Sequence, residues 1–270
     1  MTPDQLLRAY HARHPGATAR AFADGRAPDG RSTYQLLADL PAPADAVLDL
    51  GCGDGHLLEL LVARGCREVT GVDMSPEELV AADARPALAG VRLLEARAQA
   101  LPLPDASFDW VLSHMAFMLM SDVEVVVAEL ARVLRPGGRF AAVVGGGPAE
   151  EDDGFALFLG LYQVEHASLA DPPPRIGDRR TREAAGFASL FHPGTGFAAG
   201  VEEIALTVRH DGSAERVWDI VASAYGMLLV APDRRAAMRE RFLAEAVRGE
   251  DGLVRCALRY RLLTAARAST

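Results

Sequence analysis

The stretch Ala46-Val47-Leu48-Asp49-Leu50-Gly51-Cys52-Gly53-Asp54-Gly55 decides how this chain folds. Its apolar start has the length and composition of a buried strand. The run ends in an acid and then three glycines at alternate positions, and a helix-like apolar stretch follows at once (Leu57, Leu58, Leu60, Leu61, Val62). A strand feeding a glycine-rich turn and then a helix brings bare backbone N–H groups against a ligand. The spacing narrows the choice of ligand. A dinucleotide fingerprint places its third glycine at position 56, which here is His56. Asp49, two residues ahead of the first glycine, would repel a pyrophosphate and attract an amino group. The expected ligand therefore carries a cation near the turn.

Three further stretches follow in order. Val69-Thr70-Gly71-Val72-Asp73-Met74-Ser75 is a second strand ending in an acid. Ala98-Gln99-Ala100-Leu101-Pro102-Leu103-Pro104-Asp105-Ala106-Ser107-Phe108-Asp109 leads into the strand Trp110-Val111-Leu112-Ser113. Glu129-Leu130-Ala131-Arg132-Val133-Leu134-Arg135-Pro136-Gly137-Gly138-Arg139-Phe140 closes the series. Together with the opening stretch they cover roughly residues 45–145. In this order they resemble the class I S-adenosylmethionine-dependent methyltransferases, of the small-molecule kind (methyltransferase type 11) related to the quinone-biosynthesis enzymes.

The fold expected is α/β: a Rossmann-like, doubly wound, seven-stranded and mostly parallel sheet with an antiparallel strand, plus N-terminal helices and a helical insertion. Residues 3–14 and 31–40 have the pattern of two N-terminal helices. Strands are expected near 46–50, 68–72, 91–95, 108–113 and 139–144, with helices at 55–64, 76–84 and 122–134 between them. Ser75, Pro76 and Glu78 supply an N-cap, a first-turn proline and an acid, and Asp122 is expected to open its helix similarly. Beyond Gly147, Phe155, Phe158, Leu159, Tyr162 and His166 recur at helical spacing. Asp171-Pro172-Pro173-Pro174 has the composition of a stiff linker. Residues 201–208 are expected as a strand, 214–230 and 233–248 as helices, and 253–264 as a last strand. One of the two strands should close the sheet in antiparallel fashion. The chain thus divides into an N-terminal helical lid (1–44), a cofactor core (45–147), a helical insertion or substrate lid (148–200), and a C-terminal portion completing the sheet (201–270).

Composition excludes several functions. The 270 residues carry a net charge of −9 and no basic run, which argues against a nucleic-acid partner. Without lysine there is no Schiff-base chemistry and no Walker-type phosphate loop. Three scattered cysteines (Cys52, Cys66, Cys256) suggest a reducing, cytoplasmic setting and offer no metal-ligand spacing. No stretch is apolar for long enough to span a bilayer. The expected partner is a small-molecule substrate, with no membrane partner and no metal, for a monomer or homodimer.

The resemblance implies residue roles. Gly51, Cys52 and Gly53 would pass the methionine portion of S-adenosyl-L-methionine, and Asp49 would face its ammonium. Asp73 would accept the two ribose hydroxyls, with Met74 against the adenine. Relatives often carry an acid just before the Ala98 equivalent, where it meets the adenine amino group. Arg97 stands there instead, so the backbone of Ala98 and the side chain of Gln99 are expected to take over. Ser113 would line the methionine end through its backbone. His114, next along the chain, is a candidate general base or substrate-orienting group. Tyr162, His166 and Tyr225 are candidates to reach the substrate. His11 and His14 have helix spacing without a third ligand, and are read as part of the lid. The competing functions are an NAD(P)-binding oxidoreductase and a non-catalytic S-adenosylmethionine-binding protein.

Overall fold

A computed structural model describes residues 2–167 and 174–269, so most of the expected Asp171–Pro174 linker lies outside the described residues. Three short helices open the chain: α1 (Pro3–Arg13), α2 (Ala17–Phe22) and α3 (Thr33–Ala38). The alternating core runs β1 (Ala46–Leu50), α4 (His56–Ala63), β2 (Glu68–Asp73), α5 (Pro76–Asp83), β3 (Arg92–Glu95), β4 (Phe108–His114), α6 (Val123–Val133) and β5 (Leu134–Pro148). After it come α7 (Gly154–Ala167), α8 (Ala184–Leu190), β6 (Glu202–Arg209), α9 (Ala214–Val221), α10 (Pro232–Glu245) and β7 (Ala257–Ala266).

The strands form one seven-stranded sheet in the order β3-β2-β1-β4-β5-β7-β6. The first five are parallel, and β7 runs antiparallel to both β5 and β6. Both C-terminal segments expected as strands therefore join the sheet, and β7 is its reversed strand. Chain order changes direction between β1 and β4, and in such sheets ligands bind in the crevice beyond the strand ends at that point.

Side-chain alternation along each strand divides the core. Val47, Leu112 and Val143 face α3 and α4, packing with Leu37, Leu58 and Leu61. Leu48, Val111 and Phe140 face the opposite way, against Val126, Leu130 and the stacked rings of Phe187 and Phe191. Asp49 and His114 share strand parity with Val47 and Leu112, so they project toward α3.

Two local expectations need correcting, and a third element was not expected. The helix expected over 214–230 ends at Val221, and residues Tyr225–Leu229 form a separate 3-10 turn. Gly226 lies within that turn, where a Cβ would stand 1.8 Å from the Tyr162 hydroxyl, so only glycine leaves room for that ring. Asp122 makes no side-chain cap; it takes a left-handed backbone, φ 48°, at the start of α6. The third is α2, six residues rich in alanine, which carries too little apolar periodicity to be found from sequence. Ser75 does cap α5, accepting from the Glu78 N–H with Pro76 at the first helical position. Among the described residues no helix is long and apolar enough to cross a membrane.

Candidate functional site

The turn after β1 is stitched to the end of β2. Gly51 and Cys52 N–H both donate to the Val72 carbonyl, at 2.8 and 3.0 Å. Gly53 N–H donates to Asp73 Oδ2 at 2.9 Å, and Ser75 N–H to Asp73 Oδ1 at 2.9 Å. Asp73 is thereby fixed at the strand tip, each oxygen keeping a lone pair for a further donor. Burial raises its pKa, and the two backbone donors oppose that rise.

Asp49 stands differently. It is 1% exposed, and its Oδ2 is buried with no hydrogen-bond partner among the described residues. Burial first, then the charges of Asp73 and Asp54, push its pKa well above the ordinary carboxylate value. An orphaned buried carboxylate is costly to keep ionised unless a cation meets it.

Two adjoining chambers open at this crevice. The first is lined by Val72, Met74, Ala96, Ala98, Leu119 and Met120, roofed by Leu7 and His11 of α1. The second gathers Asp49, Asp73, Glu78, Tyr34, His114 and Tyr225. Glu78 is 1% exposed; Oε1 lies 2.6 Å from His11 Nδ1, and Oε2 accepts from Gly16 N–H at 2.8 Å. Three largely buried carboxylates around one cavity, with a dry apolar slot beside it, favour a cationic ligand with a flat apolar end. Among the described residues no group of three His, Cys, Asp or Glu side chains could hold a metal ion.

The residues singled out from sequence sort plainly. Gly51, Cys52, Gly53, Asp49, Asp73 and Tyr225 all line the cleft, as do Met74, Ala98 and Gln99. Gln99 is already engaged: its amide donates to the Ser121 carbonyl at 2.7 Å, and its Oε1 accepts from Arg97 at 3.4 Å. Arg97 also pairs with Asp4 at 2.5 Å, clamping α1 over the first chamber. Ser113 does not line the cleft. It is fully buried; its hydroxyl donates to the Leu50 carbonyl at 2.8 Å and accepts from Phe117 N–H. Tyr162 and His166 also lie away from the lining, their rings 3.8 Å apart against Gly226. His11 reaches the cleft, whereas His14 faces a separate groove with Tyr10 and Arg235.

His114 does not have the setting of a general base. Its ring stacks on Tyr34 at 3.5 Å between centroids, Nε2 lies 2.8 Å from Thr33 Oγ1, and burial lowers its pKa to about 3. A nitrogen of such low basicity is a poor acceptor for a substrate proton near neutral pH. Met115, next in the chain, is in the left-handed region at φ 56°, which turns the backbone out of β4 and brings its side chain into the second chamber. Sequence reading missed Glu78, Tyr34 and Arg97's partner. Glu78 sits where a first-turn acid is explained by the helix dipole alone, so no local signal distinguishes it.

Comparisons with known proteins agree with this geometry. A family model described as a methyltransferase domain matches residues 48–142. A malonyl-[acyl-carrier protein] O-methyltransferase of Enterobacter lignolyticus is 42% identical over 112 residues, 41% of this chain and 43% of that protein, so under half of that relative's length is matched. An uncharacterised protein of Mycobacterium bovis is 39% identical over 193 residues, covering 70% of this chain and 67% of its own. Among solved structures, the YcgJ protein of Bacillus subtilis shares the fold at a TM-score of 0.56 and 20% identity, covering 88% of this chain and 98% of its own.

Proposed function

Because this chain belongs to the methyltransferase-domain family, we propose that it moves a methyl group from S-adenosylmethionine to an oxygen, nitrogen or carbon atom of a small molecule. The observation that carries the reading is the buried, partnerless Asp49 Oδ2 at the tip of β1, beside the glycine turn. An ammonium is the group that would relieve it. Asp73, its oxygens aligned by Gly53 and Ser75, would receive the ribose diol on its remaining lone pairs. Met74, Ala98 and Leu119 would flank the adenine. When bound, S-adenosylmethionine supplies a methyl carbon on a sulfonium, open to in-line displacement.

The chain's own residues would do the rest. Positive charge disperses during such a transfer, so the protein's task is orientation and exclusion of water rather than acid catalysis. Residues 1–44 would act as a lid, since α1 already roofs the first chamber and is tied down by Asp4–Arg97 and His11–Glu78. Residues 45–147 would form the cofactor core, 148–200 a substrate lid, and 201–270 the completion of the sheet. Tyr225 would line the acceptor's side of the second chamber. A dinucleotide would bring its pyrophosphate against Asp49 and Glu78, which disfavours the hydride-transfer alternative.

Calorimetry with S-adenosylmethionine tests the reading. Micromolar binding is expected, and Asp73→Ala should weaken it about tenfold to thirtyfold through loss of hydrogen bonds to a charged group. Absence of binding, or an Asp73→Ala affinity equal to the parent's, would overturn it. Transfer itself requires an acceptor extract to gain the mass of one methylene in the presence of the protein.

The role of His114 has its own test. With its pKa lowered to about 3, the imidazole should stay neutral across pH 5–8. Proton NMR of the His114 ring should show no titration there, with the signal assigned by comparison with His114→Gln. A ring that titrates near pH 6.5 would restore the general-base role.

A further inference from the structure

We propose that the methyl acceptor carries a carboxylate, and that Arg182 is the residue that holds it. The proposal rests on the methyl-transfer reading and adds the chemical class of the acceptor.

Arg182 ends the 3-10 turn Arg179–Arg182, which packs against β5 and the Phe117–Leu119 turn at the carboxyl edge of the sheet. This segment is held tightly to the cleft wall. A Cβ on Gly177 would fall 1.9 Å from the Met118 carbonyl oxygen, so glycine alone permits the approach. The Thr181 hydroxyl is fully buried and donates to the Asp178 carbonyl at 2.6 Å. The Arg182 carbonyl accepts from Arg261 at 3.3 Å. The backbone that carries Arg182 is therefore a fixed platform.

Its guanidinium is half-buried, and its single hydrogen-bond partner among the described residues is a thioether, Met118 Sδ at 3.5 Å. Met118 Sδ also accepts from Gly145 N–H, and Gly145 in turn abuts Met115 of the second chamber. Arg182 stands behind the wall of the chamber that holds Asp49, His114 and Tyr225, close enough to Tyr225 for the two to interact electrostatically.

Other arginines of comparable exposure hold acids or backbone carbonyls: Arg235 donates to the Met227 and Val230 carbonyls and Arg267 to that of Leu134. Arg85 pairs with Asp54 and Glu59, Arg132 with Glu129 and Asp105, and Arg261 with Glu203. Arg182 has neither: among the described residues no carboxylate lies within ion-pair distance, and its guanidinium meets only the Met118 thioether. Burial lowers its basicity with no acid opposing the effect, and the one group that favours its charge is Tyr225. A partly desolvated guanidinium without a counter-ion is unfavourable, and a planar oxyanion supplies the missing charge together with two acceptors.

The surroundings choose the anion. Neighbouring Arg180 and Arg261 are already neutralised by Asp178, Glu124 and Glu203, and Arg179 of the same turn is exposed to water, so Arg182 is the one partly buried charge of the group without an acid, which suits a monoanion. Met115, Met118 and Leu119 around it are apolar and suit a hydrocarbon body. A carboxylate on an apolar frame satisfies both.

The test uses the full chain saturated with S-adenosylhomocysteine. Aryl and alkyl carboxylates, 4-phenylbutyrate among them, are titrated by calorimetry, each beside its primary amide. The parent should bind at least one acid about thirtyfold more tightly than its amide, the difference expected of a charge-assisted pair. Arg182→Gln should bring acid and amide within about threefold, while Arg182→Lys, which keeps the charge and loses the planar fork, should retain only part of the preference, S-adenosylhomocysteine affinity staying at the parent level in both. Failure of S-adenosylhomocysteine to bind the parent overturns the methyl-transfer reading itself. Normal S-adenosylhomocysteine binding with no acid preferred over its amide, or a preference that survives Arg182→Gln, overturns only the role of Arg182.

Discussion

Asp49→Asn is expected to weaken S-adenosylhomocysteine binding by more than about 100-fold and, at the same time, to stabilise the ligand-free protein. The first effect follows from breaking a buried charge pair, which costs about 3–5 kcal/mol when one partner is removed. The second follows from the same burial. Without a ligand, Asp49 Oδ2 has no partner, and an amide there is neutral at every pH. The sign of the pH dependence is fixed by the direction of the shift. The folded-state pKa lies well above the value of 3.8 for a free side chain, so the folded state holds its proton longer than the unfolded chain. Stability is therefore lost as pH rises from about 3.8 through the folded-state pKa.

The parent's own pH curve does not isolate this term. His114 and His210 are lowered by burial to about 3 and about 4, so below pH 6.5 the unfolded chain takes up protons that the folded one refuses. They destabilise as pH falls, opposite to Asp49. The difference curve separates them: the stability of Asp49→Asn minus that of the parent should widen steadily as pH rises above 4. Denaturant unfolding at several pH values measures it. A flat difference, or an Asp49→Asn variant that binds S-adenosylhomocysteine as the parent does, would remove the ammonium from this site.

What the sequence disclosed was set by distance along the chain. The glycine turn and the acids at the tips of β1 and β2 were legible because strand, turn and tip lie within a few residues of each other. Hydrophobic period and proline-glycine punctuation marked every strand of the sheet. The rest of the site is assembled from far apart. Tyr34 stacks on His114 across 80 positions, Asp4 meets Arg97 over α1, and Glu78 receives His11 and Gly16 from the lid. None of these pairings leaves a local pattern. The opposite error has the same origin: Tyr162 and His166 had attractive chemistry, but their rings pack on each other against Gly226 and line neither chamber. Ser113, expected to line the methionine end through its backbone, is fully buried at the end of β4 and borders neither chamber.

Gly51→Ala should cost far more in stability than Gly53→Ala two positions along the same turn. Both glycines have positive φ, 76° and 52°, so alanine pays about 1–2 kcal/mol for the left-handed backbone at either. Their surroundings differ. A Cβ on Gly51 would lie 2.4 Å from Ala116 Cβ, whereas on Gly53 the nearest atom is Glu78 Oε2 at 3.8 Å. Ala116 follows the strained Met115 and cannot withdraw without moving the end of β4. Gly51→Ala is therefore expected to lose about 3–4 kcal/mol, strain and overpacking together, or roughly 6–15 °C in Tm for a chain of this size. Gly53→Ala should lose only the backbone share. Because Gly51 borders both chambers, its substitution should also abolish S-adenosylhomocysteine binding, measured by calorimetry below the new Tm. Equal Tm values and equal affinities for the two variants would mean that the approach of β1 to the β4 tip does not shape the cofactor's seat.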